Sequence, residues 1–381
     1  MDVFTDTSTR ALFRRSLTSA RALAGNRPPS DCAVVDGPKL CSLLAGVASD
    51  ARLVEVPVSR RPWTSSGVRV KQGDRVTWLA WGRAYALIER GIGAGPSFGL
   101  LGRVEDGPVQ MSARPTFTFT ADRDGELRFG GRLPGELLSS GEVRTDRVPF
   151  RVIRGGFSAV VAVWPQGSDV HHELEQIVSL DSSGLCTIEL QRLSDPPRPP
   201  DGWFYHPLLG HEEVYTSTDD GIQVDCCDTV AIIRHPVNVE LDDRLRLRWS
   251  WRLDQLPSSL PENTILTHDY VSIAVEFDDG QDLTWYWSST LPQGLSYRCP
   301  LDHWRHRETH IVVRSGTADL GRWVTDERPI LADHQAAIGG RPPQRVVAVW
   351  LIATSLAQHN SAVGAFGSIE LDAGTRPITV L

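Results

Sequence analysis

The chain has almost no lysine. Of 39 basic residues only Lys39 and Lys71 are not arginine, and 47 acidic residues bring the formal charge to −8. Phosphate backbones are held by concentrated basic surfaces, so nucleic acid is excluded as the main partner. The positive charge that is present sits on guanidinium groups, which bind carboxylates and stack on rings. Long apolar runs are missing too. No stretch approaches the ~20 residues of a membrane span, so no membrane partner is expected. The opening Met-Asp-Val-Phe-Thr-Asp-Thr-Ser-Thr-Arg lacks the basic start and apolar run of a secretion signal, which leads to a cytoplasmic expectation.

The six cysteines (Cys32, Cys41, Cys186, Cys226, Cys227 and Cys299) show no metal-binding spacing and read as reduced thiols. There is no G-x-S-x-G elbow and no H-E-x-x-H helix. The loop Gly91-Ile-Gly-Ala-Gly95 lacks the Lys-Ser/Thr ending of a phosphate loop, and no nicotinamide or flavin fingerprint appears. No cofactor is expected. Any catalysis then rests on acid–base chemistry or on positioning a reactive substrate.

What is present is mostly β texture. Residues 1–50 differ, reading as a helical arm with Leu12, Leu17 and Leu23 at helical spacing and a second short helix over Leu40–Ala48. A first β domain follows over 51–194. Its strands fall at Leu53–Val58, on both sides of a Gln-Gly-Asp turn at 72–74, and at Thr116–Ala121, Leu127–Phe129, Val148–Ile153, Phe157–Trp164 and Cys186–Leu193. The proline-rich stretch 195–202 is a stiff linker. A second β domain occupies 203–381 and holds eight of the twelve tryptophans. Many short strands with glycine-rich turns mean an all-β chain of two sandwich domains.

Residues Trp63-Thr-Ser-Ser-Gly67-Val-Arg-Val-Lys-Gln-Gly73-Asp, the Gly91–Gly95 loop with Pro96, Leu101-Gly-Arg-Val and the strand ending Asp124-Gly-Glu-Leu-Arg-Phe-Gly130 resemble the galactophilic lectins. The resemblance covers about a quarter of the chain and implies a jelly-roll, galactose-binding-like sandwich. In that family an Asn-Asp after this strand and a later Asp-Asn pair hold the calcium that binds sugar hydroxyls. Here the first position reads Gly130-Gly131-Arg132 and the second keeps only Asp146, too few oxygens for a calcium site. The second domain resembles an uncharacterised bacterial family. The carrying residues are Trp249-Ser-Trp251-Arg, His268-Asp269-Tyr270, Phe277-Asp278, Tyr286-Trp287, Val312-Val-Arg314-Ser-Gly316, Trp323, Glu327-Arg328 and Asp333. This resemblance brings a strand layout and no activity.

The ligand expectation rests on one strand set. Val271, Ile273, Val275 and Phe277 alternate to a core face, leaving Ser272, Ala274, Glu276 and Asp278 on the other. Glu308, His310, Val312 and Arg314 share a face of a later strand. In one sheet, Glu276, His310 and Arg314 would converge, a carboxylate tuning an imidazole beside a guanidinium that holds an oxyanion. They are the candidate catalytic residues. The candidate ligand-binding set is His268, Asp269, Glu276, Asp278, Trp285, Trp287, His310 and Arg314. Trp249 and Trp251 read as core. His303, His306 and His310 are spaced like a metal site, but Arg305 and Arg307 put cations inside it, so no metal is expected. The pair His171-His172 with Glu173 and Glu175 reads as a polar loop.

Two function classes follow. One is a protein binding a glycan or similar small polar molecule on the second domain or between domains. The other is a cofactor-independent cyclase or isomerase of secondary metabolism, working in an interdomain pocket.

Overall fold

The computed structural model describes residues 35–88, 91–112, 114–133, 135–138, 140–145, 149–206, 209, 214–302, 304–374 and 377–381. The expected helix over 10–23, Asp146 and His303 lie outside these residues. Among them no helix is long and apolar enough to cross a membrane. Contacts divide the chain into two units, with the chain passing from one to the other between Pro197 and Arg198. The chain is all-β, with a few short helices.

The first unit has strands β1 (Asp50–Val56), β2 (Thr64–Val70), β3 (Arg75–Leu87), β4 (Ile92–Ala94), β5 (Leu100–Val104), β6 (Thr116–Thr120), β7 (Gly125–Gly131), β8 (Glu136–Leu137), β9 (Val143–Arg144) and β10 (Arg154–Trp164). One sheet runs β1-β10-β3-β4 with β6 also on β3, and a second runs β2-β7-β5. Alternate residues build the core between them: Val54 and Val56, Val68 and Val70, Val76 and Trp78, Leu127 and Phe129, Phe157 and Ala159. The larger sheet is buried on its other face as well. Leu79, Val160, Ala162 and Trp164 pack there against helices α1 (Gly37–Ala45), α3 (Val170–Ile177) and α4 (Leu185–Ser194), the four-residue α2 (Pro96–Gly99) lying elsewhere.

Three expectations for this unit are corrected. Residues 186–193 are helix α4, not a strand. Its inward positions include Glu189 and Arg192, a buried ion pair of 2.7 Å at i,i+3, so charges hide the helical stripe. His171, His172, Glu173 and Glu175 belong to helix α3, capped by Asp169, not to a loop. Phe150–Val152 is a turn of 3₁₀ helix and the strand starts at Arg154. The preceding Pro149 has no N–H to give to a ladder.

The second unit has β11 (Phe204–Tyr205), β12 (Tyr215–Thr218), β13 (Gly221–Cys227), β14 (Val230–Glu240), β15 (Arg246–Gln255), β16 (Tyr270–Phe277), β17 (Asp282–Ser288), β18 (Ser296–Arg298), β19 (Glu308–Ser315), β20 (Val324–Pro329), helix α5 (Ile330–Ala337), β21 (Arg345–Thr354), β22 (Ser361–Asp372) and β23 (Ile378–Thr379). A seven-stranded sheet, β11-β14-β21-β16-β17-β19-β18, faces a six-stranded one, β12-β13-β22-β15-β20 with β23 on β22. All named pairs are antiparallel except β17 with β19. Between the sheets lies an aromatic core. Trp249 packs on Trp251 and Trp285, and Trp251 on Trp287 and Phe366, with centroids 5.7–6.1 Å apart.

An indole buried this way carries an N–H that needs an acceptor. Trp251 Nε1 donates to Asp326 Oδ2 at 2.8 Å, and Arg314 Nε donates to the same oxygen at 2.7 Å. Trp285 Nε1 donates to Asp333 Oδ2 at 2.7 Å, joined by Arg328 Nε at 2.8 Å. Trp350, on the other face of the seven-stranded sheet, repeats the device with Glu276 and Arg307 at 3.2 and 3.0 Å. Replacing Asp326 with Ala strands both the Trp251 N–H and the Arg314 guanidinium. The expected cost is about 2–3 kcal/mol in urea unfolding, with Asp326→Asn, which keeps an acceptor, costing clearly less. Equal losses in the two variants would remove the acceptor from this account.

Candidate metal centre

In most sandwiches the outer face of a sheet meets water. Here the outer face of the seven-stranded sheet is covered by residues 256–269, between β15 and β16, and by the described residues of 289–307, which lie between β17 and its parallel neighbour β19. A parallel neighbour cannot be reached by a tight hairpin, so a crossover of this kind is required. Tyr270, Tyr286, Val312, Trp350 and Ile352 point outward from the strands into an apolar layer with Leu291, Leu295, Tyr297 and Trp304. Polar side chains in this layer are sealed from water. His310, Asp282, Thr284 and Ser288 are fully buried.

Four ligand-type side chains meet in the layer. One ring nitrogen each of His268 and His310, Cys299 Sγ and a Glu308 oxygen all lie within 4.8 Å of one another, and all four residues are buried. Cys299 Sγ is 3.4 Å from His268 Nε2, and His310 Nε2 is 3.3 Å from Glu308 Oε2. Bonds of about 2.0–2.3 Å to a tetrahedral ion set ligand atoms roughly 3.3–3.8 Å apart. Both distances have that length.

The surroundings orient the set. His268 Nδ1 is 2.7 Å from the carbonyl of Glu262, which can only accept, so Nδ1 carries the hydrogen and Nε2 of the neutral ring presents its lone pair to Cys299. Burial, followed by the neighbouring His310, pushes the His268 pKa down to about 4, which keeps the His268 ring neutral. Tyr270 Oη donates to Glu308 Oε1 at 3.0 Å. Burial works to raise the pKa of Glu308, but His310 beside it overrides this and holds it at about 2. Burial, then Glu308, pushes the Cys299 thiol up, so a metal ion would have to displace its proton. His310 is the unsatisfied member. Although one nitrogen is 3.3 Å from Glu308, the alignment is not that of a hydrogen bond, and neither ring nitrogen has a hydrogen-bond partner. Its ring is instead stacked on Tyr297 at 5.1 Å.

The expected convergence of Glu276, His310 and Arg314 does not occur. A bulge pairs Tyr286 with Val312 but Trp287 with Arg314, so Arg314 leaves the face of His310. It sits over the Trp287 ring at 5.6 Å, bonded to Asp326. Glu276 is held by Arg307 and Trp350, with Arg234 at 3.4 Å. Trp285 and Trp287 are core residues rather than ligand platforms, with N–H groups spent on Asp333 and on the Gly316 carbonyl. Asp269 is buried and accepts from the backbone N–H groups of Ala357 and Gln358, so it clamps a loop. Asp278 is exposed and accepts from Gln344 N. Of the expected ligand residues the fold brings together His268 and His310, with ring centroids 4.9 Å apart. His306 is exposed and outside the set. Glu308 is read from the sequence as sharing a face with His310 but stands outside the expected ligand set, and Cys299 has no spacing to announce it, because the four ligands come from three segments.

Residues 201–370 match the family model described as "Protein of unknown function (DUF3047)". No curated protein matches the chain. Among solved structures, the chain is similar to the EclA N-terminal domain, a PllA-like lectin, at 16% identity and a TM-score of 0.24 over 31% of this chain and 98% of that one. It is also similar to the N-terminal CBM22-1-CBM22-2 tandem domain of Paenibacillus barcinonensis Xyn10C, at 7% identity and a TM-score of 0.23 over 84% and 85%.

The buried groups set a pH dependence. His268 has a lowered folded pKa, so its stabilisation is complete above the unfolded value of ~6.5 and is lost as pH falls to about 4. Asp269 has the opposite sign. Burial pushes it up to about 6 against its backbone hydrogen bonds, so acid favours the fold between pH 6 and ~3.9. The two slopes oppose each other. In chelator, the Asp269→Asn variant is expected to lose on the order of 3 kcal/mol more than the parent between pH 6.5 and 4. Parallel pH profiles from urea titrations would contradict this.

Proposed function

We propose that the second unit is a metal-binding module in which His268, Cys299, Glu308 and His310 hold one divalent transition-metal ion. The carrying observation is His310, a fully buried imidazole in the midst of three other ligand atoms, with Glu308 3.3 Å away and no hydrogen bond to either nitrogen. A buried polar atom without a hydrogen bond is costly, and an ion bound between these four groups would satisfy it. Imidazole and thiolate are ligands for the zinc class rather than for calcium or magnesium. In metal analysis of purified protein, about one zinc or similar ion per chain is expected, with His310→Ala and Cys299→Ser each losing it. Free zinc at 100 times the dissociation constant should stabilise the chelated protein by about 2.7 kcal/mol. A protein that takes up no zinc or cobalt in equilibrium dialysis has no such site.

A second reading, a glycan or similar polar organic ligand on this unit, is supported at a different place. Trp323 is 42% exposed on the outer side of the six-stranded sheet. A Cβ at Gly367 would stand 3.2 Å from its ring, so the bare glycine lets the indole approach the strand. Ser250 and Ser368 hydroxyls, 3.3 Å apart, lie on the same strands. The Arg252 guanidinium stands 5.5 Å over the ring, so the half-exposed indole offers apolar edge beside hydroxyl and guanidinium partners. Glycan-array binding that survives Trp323→Ala would refute this placement; a loss of about tenfold or more supports it.

A further inference from the structure

We infer that the ion is a structural staple of zinc's class, one that pins the two covering segments onto the seven-stranded sheet and whose removal loosens the cover and not the sandwich. This rests on the metal-binding reading above. The four ligands come from three parts of the architecture. His268 lies near the end of the segment 256–269, Cys299 lies in the crossover, and Glu308 and His310 stand on β19 in the sheet itself. One ion therefore joins both covering segments to the strand beneath them.

Among the described residues the regular structure of the cover amounts to the 3₁₀ turn Ile265–Thr267 and the three-residue β18. The rest is held by scattered contacts: Glu262 accepts from the Ser288 hydroxyl and the Ser289 N–H, Gln358 bonds Ser258 and Ser259, and Leu291, Leu295, Tyr297 and Trp304 pack on the sheet. Backbone groups without a ladder are the first to open. The sandwich core is built differently. Trp249, Trp251, Ile273, Trp285, Leu351 and Phe366 pack on the opposite face of the sheet, and no ligand residue is among that core. Losing the ion removes no contact from it.

Charge and coordination select the ion. A bound thiolate and carboxylate carry two negative charges, and the imidazoles are neutral. In a site sealed from water only a divalent cation brings the sum to zero, and residual buried charge is heavily penalised. A monovalent copper ion would leave one negative charge and a trivalent iron one positive. Four protein ligands complete a tetrahedron, the arrangement of a structural site, whereas catalytic sites keep a position open.

The test is amide hydrogen exchange on the full chain, loaded with zinc and after chelation. Exchange within 256–269 and 289–307 is expected to rise by about tenfold or more on chelation, while β14, β15, β16, β21 and β22 stay protected. Cys299→Ser, which nearly preserves side-chain volume, should show the chelated pattern even with zinc present. Ion loss that leaves both segments unchanged overturns the staple. So does equal loss of protection in the core strands, or calcium restoring protection as well as zinc. A chain that binds none of these ions overturns the metal-binding reading beneath it.

Discussion

The second unit depends on satisfying indole N–H groups in a dry core. Tryptophan supplies more packing surface than any other side chain, but its donor is costly to leave without an acceptor. At Trp251 and Trp285 the solution is a carboxylate at the sandwich edge, Asp326 or Asp333, neutralised by an arginine, Arg314 or Arg328. The carboxylate must reach inward for the indole, and its charge must reach outward for the guanidinium. This fixes where β20 and helix α5 lie against the core, because Asp326 and Asp333 come from those elements. Trp203 Nε1 and Trp249 Nε1 lie in the same core without a hydrogen-bond partner, and the structure offers no account of them.

That same device explains what could and could not be read in the sequence. The period-two alternation of Val271, Ile273, Val275 and Phe277 marks the core face of β16, and the structure places all four there. Alternation cannot say whether the opposite face meets water or a further layer. Tryptophan, arginine and carboxylate together look like a ligand surface because the chemistry that recognises a ligand is also the chemistry that seals an indole. Glu276, Trp285, Trp287 and Arg314 belong to the sealing. Arg314 was hidden further by the bulge in β19, which breaks the alternation one residue before it. Cys299 had no local signal at all, since its neighbours His268 and His310 arrive from other segments. In the first unit the inward Glu189 and Arg192 conceal helix α4 in a similar way, by putting an ion pair where an apolar stripe is expected.

The seven-stranded sheet thus carries two dry layers with different rules. One is apolar and aromatic, with its polar atoms exported to the edges. The other keeps polar atoms inside, in a row that runs from Glu276 through Arg307 and Asp282 to Glu308 and the histidines. Burial, followed by the charge of Glu308, raises the Asp282 pKa well above the carboxylate range, a measure of how strongly this layer resists another negative charge.

The parallel pairing of β17 with β19 has a consequence for how the unit tolerates being cut. Among the described residues every other neighbour relation in the two sheets is antiparallel, and it is this parallel pair that obliges 289–307 to travel back over the sheet. The strands on either side hold their places through pairings with β16 and β18, whatever the path between them. A chain cut within 289–295, ahead of β18, would therefore keep every strand partner and the whole inter-sheet core. It would lose only the continuity of the lid, separating the part of this sequence that specifies the sandwich from the part that specifies what lies beneath the cover.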